Sequence, residues 1–154
     1  MAKLIAIAGL PGSGKSRYIA RVRGTIAGVI ADDYMTHAHG DSPIFTNGRR
    51  FVELARALNA GKDCLVSDIN FCRPNRRAEF ESAIRGVAPG TEFEWRFFEN
   101  DPDRCIGNVR RRARINVTRE EQTIRDLSPH FQIPAAATVL PVWTPASGPG
   151  MASR

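Results

Sequence analysis

Eight residues near the amino terminus, Gly9-Leu10-Pro11-Gly12-Ser13-Gly14-Lys15-Ser16, carry the clearest chemical signal in the chain. Gly, four residues, Gly, Lys, Ser is the spacing of a loop that wraps a polyphosphate. A polyphosphate is large and anionic, so backbone N–H groups must converge on it. Gly12 and Gly14 permit the dihedral angles and close approach that a side chain would block. The helix expected from Lys15 aims its first N–H groups at the same anion. Lys15 is expected to reach the β- and γ-phosphates, and the Ser16 hydroxyl to ligate Mg²⁺. Leu10, Pro11, Ser13 and Arg17 complete the expected nucleotide-binding set. The spacing thus implies a nucleoside triphosphate with Mg²⁺.

Carboxylates recur where such a ligand would need them. The apolar run Ala27–Ala31 ends in Asp32-Asp33-Tyr34, and Cys64–Ser67 ends in Asp68. Carboxyl ends of strands in an α/β sheet border the ligand crevice. Asp32 is expected as a general base near the γ-phosphate and Asp33 on the substrate side; the other reading makes one of the pair a helix cap. Asp68 has the position of an acid that helps hold Mg²⁺, often through water. Ile69 follows it, where a hydrolytic motor would place Glu to activate water, so transfer to a bound acceptor is favoured. Asn70, Arg73 and Arg76 stand beyond that strand end as candidate acceptor-binding residues. An arginine in a first helical turn opposes the helix dipole, which favours a role for it. Arg110, Arg111, Arg112 and Arg114 suggest a lid over about residues 104–117, with Arg111 and Arg112 on phosphates; the alternative is a basic exposed face.

Positioning these groups requires a regular framework. Residues 3–8 read as a buried strand, 15–23 as a helix and 27–31 as a second strand. Residues 36–48 show no period. Their His37 and His39 lack a convincing third metal ligand and are expected to be solvated. Asn47 can cap a helix over 48–60, with Gly61 as its C′ residue. A helix starts at Pro74, with Phe80, Ala83, Ile84 and Val87 on its apolar face. Thr91–Phe98 alternates as a half-buried strand. Asp101 opens a helix carrying Ile106, Val109 and Ala113 inward. Thr118-Arg-Glu-Glu121 reads as a capping box for a helix to Leu127. A last strand is expected over 136–142, and residues 144–154 form a tail outside a single domain of residues 1–143.

Composition narrows the class further. The 154 residues have the make-up of a soluble globular protein, and no stretch approaches the length of a membrane span. The apolar run after Lys3 is too short for a signal peptide and leads straight into the Gly9 loop. Three cysteines form no CxxC, as expected of reduced thiols in a cytoplasmic protein. The net charge of +6 comes mostly from arginine and suits a phosphorylated or nucleic-acid partner. No Asn-Lys-x-Asp or Asp-x-x-Gly motif of a GTPase occurs, and there is no internal repeat.

Together, Gly9–Ser16, Asp32-Asp-Tyr34, Ser67-Asp-Ile-Asn70, Asn75-Arg-Arg77 and the arginines around Arg112 resemble the 5′-kinase domains of phage polynucleotide kinases and related P-loop kinases, including zeta-toxin-like ones. The resemblance spans about residues 3–134. It implies an α/β P-loop NTPase fold, a parallel five-stranded sheet with helices on both faces. It also implies an ATP- and Mg²⁺-dependent phosphotransferase acting on a hydroxyl of a small molecule or a nucleic-acid 5′ end. By resemblance Asp32 is the base, Lys15 and Ser16 the phosphate and Mg²⁺ groups, Asp68 the Walker-B-like acid and Arg112 a lid arginine. Met35 departs from the pattern, because polynucleotide kinases place there an arginine that helps hold nucleic acid. The alternative function is a nucleic-acid-associated P-loop ATPase, or a nucleotide-binding module without a dedicated acceptor.

Overall fold

A computed structural model describes residues 1–34, 49–112 and 116–145, with nothing stated of the Arg49 side chain. Met35, His37, His39, Asn47, Gly48, Ala113, Arg114 and residues 146–154 lie outside the described residues.

Five strands, β1 (Lys3–Ala8), β2 (Ile30–Ala31), β3 (Cys64–Ser67), β4 (Glu92–Phe98) and β5 (Thr138–Leu140), form one sheet in the order β2-β3-β1-β4-β5. Every pairing is parallel, with Ile5 opposite Leu65 on one side and Glu94 on the other. Strands β1 and β3 lie inside the sheet and are apolar on both faces, which is why they read as unbroken apolar runs. Alternate residues go to opposite layers. Leu4, Ala6, Ala8, Val66 and Phe97 pack with α2 (Arg49–Asn59), α3 (Pro74–Val87), α4 (Pro102–Arg112) and α5 (Val117–Leu127). Ile5, Ile7, Leu65 and Phe98 pack with Tyr18 and Ile19 of α1 (Lys15–Val22). The sheet is thus covered on both faces, as the resemblance implied. Because all strands run one way, the segments after β1, β2 and β3 emerge at a single edge, where a ligand crevice forms.

The alternation of Phe93, Trp95 and Phe97 builds an aromatic layer with Phe71 and Phe80, and the Phe71 and Trp95 ring centroids stand 5.2 Å apart, edge to face. Pro74 opens α3 and Gly61 follows α2 with φ of 80°, as expected. Other boundaries differ. The second strand is two residues long, and the last is Thr138–Leu140 only. Val87 is 40 % exposed and does not join the core. The capping box does not form: α5 begins at Val117, Thr118 lies inside it, and Glu121 turns to Arg110 across from α4. Among the described residues no helix is long and apolar enough to cross a membrane.

Candidate active site

The loop after β1 is shaped by contacts that only glycine tolerates. Gly12 and Gly14 have φ of 80° and 109°. A Cβ on Gly12 would lie 2.5 Å from the Cys105 carbonyl oxygen of α4, and one on Gly14 would lie 2.7 Å from the Trp143 Cβ. Helix α4 and the segment after β5 therefore press directly on the loop. Asn108 fastens all three. Its buried amide donates to the Gly12 carbonyl at 2.9 Å and to the Trp143 carbonyl at 2.6 Å, while its oxygen accepts from Arg111. Trp143 N–H donates to the Ser13 carbonyl at 2.9 Å, and the Arg17 guanidinium lies 3.7 Å from the centroid of the Trp143 ring.

Lys15 is buried beneath the loop and donates to the Gly9 and Leu10 carbonyls at 2.7 and 3.0 Å. Burial pushes its ammonium below the usual range, while Cys72, Asp33, Cys105 and Asp32 pull the other way. Ser16 donates to Asp32 Oδ2 at 2.6 Å, and Ser67, at the end of β3, donates to Asp32 Oδ1 at 2.6 Å. The next residue, Asp33, has φ of 52° and is exposed; its N–H donates to Ser67 Oγ at 3.4 Å. One serine on β3 thus anchors both residues of the turn after β2.

These groups border a cavity of about 540 Å³, within the range of small-molecule sites. Of the residues singled out from sequence, Pro11, Gly12, Gly14, Lys15, Ser16, Arg17, Asp32, Asp33, Ile69 and Arg112 line it, and Arg111 does not. Arg112 donates to Glu120 of α5 at 2.7 Å, and Glu120 lines the cavity too. The remaining candidates stand elsewhere. Leu10 and Ser13 are fully buried behind the loop, and the Ser13 hydroxyl has no hydrogen-bond partner. Asp68 is buried off the cavity, with Oδ1 accepting from Asn70 N–H and Nδ2, both at 2.8 Å. Asn70 is thereby held on Asp68. Arg76 pairs with Glu79 at 2.9 Å, and neither it nor Arg73 lines the cavity. Arg77 clamps the Phe71 and Gln132 carbonyls at 2.7 and 2.8 Å and lies over Phe97.

Sequence reasoning gave no site role of their own to Ser67, Asn108 and Trp143, nor to Asn116 just before α5 and Arg119, Glu120 and Thr123 within it. Asn108 did leave a trace, a lone amide within the inward stripe of Cys105, Ile106 and Val109. An all-oxygen set of Ser16, Asp32 and Asp33 suits Mg²⁺, which keeps waters and takes one or two carboxylates plus phosphate oxygens. Among the described residues no group of three or more His, Cys, Asp or Glu forms a cage of its own.

No protein-family model matches the sequence, and no curated protein matches it. Solved structures do resemble the fold. A gluconokinase from Sinorhizobium meliloti 1021 shares 15 % identity and a TM-score of 0.58, covering 93 % of this chain and 84 % of that one. A sugar kinase from Janibacter sp. HTCC2649 shares 11 % identity and a TM-score of 0.58, over 99 % and 91 %. Kti12 from Chaetomium thermophilum, solved with ADP-AlF3, shares 17 % identity and a TM-score of 0.51, over 97 % and 93 %. At these identities the likeness concerns architecture, and with the parallel sheet and its glycine loop it establishes that this chain has an α/β P-loop NTPase fold.

Proposed function

We propose that the protein is a Mg²⁺- and ATP-dependent phosphotransferase that moves the γ-phosphate to a hydroxyl of a bound acceptor. The observation that carries this reading is the placement of Asp32. Its carboxylate is fixed by Ser16 and Ser67 on the wall of the cavity that the glycine loop, Lys15 and Arg112 also line. A carboxylate oxygen offers two lone-pair sites, so Asp32 can hold both serines and still accept the acceptor's proton. Lys15 sets a positive charge under the loop, and Arg112 can exchange Glu120 for a phosphate oxygen. A Mg²⁺ held at Ser16 would supply neutralisation of the charge that develops on the phosphates. Ser16 would be the ligand, oriented by Asp32, whereas Asp68, buried off the cavity and engaged by Asn70, would support the site from outside it. Ile69 lines the cavity with an apolar side chain, which favours transfer over water activation.

A small acceptor fits better than a polynucleotide. Arg73 and Arg76 do not reach the cavity, and Arg77 is engaged by two backbone carbonyls. The gluconokinase and sugar kinase among the structural neighbours support the same choice. The three buried free thiols suit a cytoplasmic setting. Asp32→Asn tests the assignment. The variant keeps the shape and binds Mg·ATP, while transfer falls by roughly 10²- to 10⁴-fold. Unchanged transfer would show that Asp32 is a structural bystander.

A further inference from the structure

Helix α5 supplies a second wall of the cavity, opposite in character to the glycine loop. Asn116 just before the helix, then Arg119, Glu120 and Thr123, line the cavity at the i, i+3, i+4, i+7 spacing of one helical face. Their charges are not matched in pairs. Glu120 is taken by Arg112 at 2.7 Å, and Glu121 by Arg110. Among the described residues no carboxylate pairs with Arg119, although it borders a cavity. Arg119 also stands in the first turn of α5, where a cation opposes the helix dipole. A guanidinium with no carboxylate partner among the described residues, set there against the dipole with an amide and a hydroxyl on the same face, is a fork for an oxyanion.

We propose that this wall reads an anionic group on the acceptor: Arg119 binds a carboxylate or phosphate, and Asn116 and Thr123 hydrogen-bond the neighbouring hydroxyls. Thr123 already donates to the Arg119 carbonyl at 2.9 Å, so its oxygen is left to act as an acceptor. The substrate class is therefore an anionic polyhydroxy compound, a sugar acid or sugar phosphate, and not an uncharged polyol. The assignment rests on the kinase reading for the word acceptor, but the anion site itself does not need transfer to be detected.

The test is calorimetric binding of sugar acids, sugar phosphates and the corresponding uncharged polyols. The protein is the full chain saturated with Mg²⁺ and a non-hydrolysable ATP analogue, as wild type, Arg119→Ala and Arg119→Lys. Anionic compounds are expected to bind at least tenfold more tightly than the polyols. Arg119→Ala should weaken them by about 10- to 100-fold, the range of a charge-assisted pair, with partial recovery in Arg119→Lys and analogue affinity within about twofold of wild type. The carboxylate and phosphate arms show which oxyanion is read, and binding by either supports the site. Equal binding of polyols, no binding of any compound, or no effect of Arg119→Ala overturns it. A parallel loss of analogue affinity in Arg119→Ala also overturns it, by assigning the arginine to the nucleotide. Arg119-dependent binding without phosphoryl transfer keeps the anion site and removes the kinase reading instead.

Discussion

Replacing Asn108 by Leu keeps similar volume but removes the donors that join the glycine loop, α4 and the segment after β5. Two hydrogen bonds disappear, to the Gly12 and Trp143 carbonyls at 2.9 and 2.6 Å. Each is worth about 1 kcal/mol net, and a carbonyl left buried without a partner adds about 1 kcal/mol or more. Asn108 is only 4 % exposed, so water cannot readily replace the amide. The sum is about 2–4 kcal/mol. In a chain of 154 residues that lowers the melting temperature by roughly 5–15 °C. Asn108→Asp should be worse, since a carboxylate would then face two carbonyl oxygens. Scanning calorimetry provides the number, and Mg·ATP titration adds a second readout, because a Gly12 peptide without its anchor no longer presents a fixed N–H cradle. Arg111→Ala is the control: it removes a partner from the Asn108 oxygen but leaves both donors in place, and its cost should stay within about 0.5 kcal/mol. If Asn108→Leu unfolds within about 0.5 kcal/mol of wild type, the amide is not a fastener and this reasoning fails.

Lys15→Ala should abolish or strongly weaken Mg·ATP binding in equilibrium dialysis while circular dichroism shows the fold retained; equal binding would refute the phosphate-loop assignment. Gly12→Ala places a methyl 2.5 Å from a backbone oxygen at φ of 80°, so urea unfolding should register a loss of about 2–4 kcal/mol, and an unchanged midpoint would contradict the contact. Arg77→Ala frees two carbonyls and the face of Phe97, and should cost about 1–3 kcal/mol by the same assay with little change in nucleotide affinity. Burial raises the Cys72 and Cys105 thiols to about 12 from an ordinary 9.0, so the native state holds their protons longer than the unfolded chain. Stability should therefore be full below pH 9.0 and decline as pH rises toward 12, and a thiol reagent at pH 8 should label neither cysteine before unfolding; prompt labelling of the folded protein would contradict their burial.

Features readable from the chain were those whose cause lies within a few residues. The glycine loop, the unbroken apolar runs of β1 and β3, the alternation in β4, Gly61 after α2 and Pro74 at the start of α3 are of this kind. What escaped depends on distant partners. Glu121 leaves the capping box because Arg110, on the neighbouring helix, offers a charged partner. Arg77, which sequence shows only as part of the Asn75-Arg-Arg77 stretch, secures the Gln132 carbonyl, 55 positions away in sequence. β2 shrinks to two residues as the chain before it closes on the next strand. A Cβ on Gly28 would lie 2.6 Å from Cys64 Sγ, and beyond Ala31 the turn is drawn to Ser67. Trp143 carried no sequence signal, since its place on the loop is set by the Arg17 guanidinium against its ring and by the Ser13 carbonyl, over a hundred residues earlier.

The central claim is transfer of a phosphoryl group to a hydroxyl, and γ-labelled ATP tests it most directly. Wild type would be incubated with Mg²⁺, the labelled nucleotide and a panel of sugar acids, sugar phosphates, polyols and 5′-hydroxyl oligonucleotides. The label should move to a small hydroxyl compound, require Mg²⁺, and be nearly lost in Asp32→Asn. Label released only as free phosphate at a rate no panel member changes, and equally by Asp32→Asn, would contradict the account.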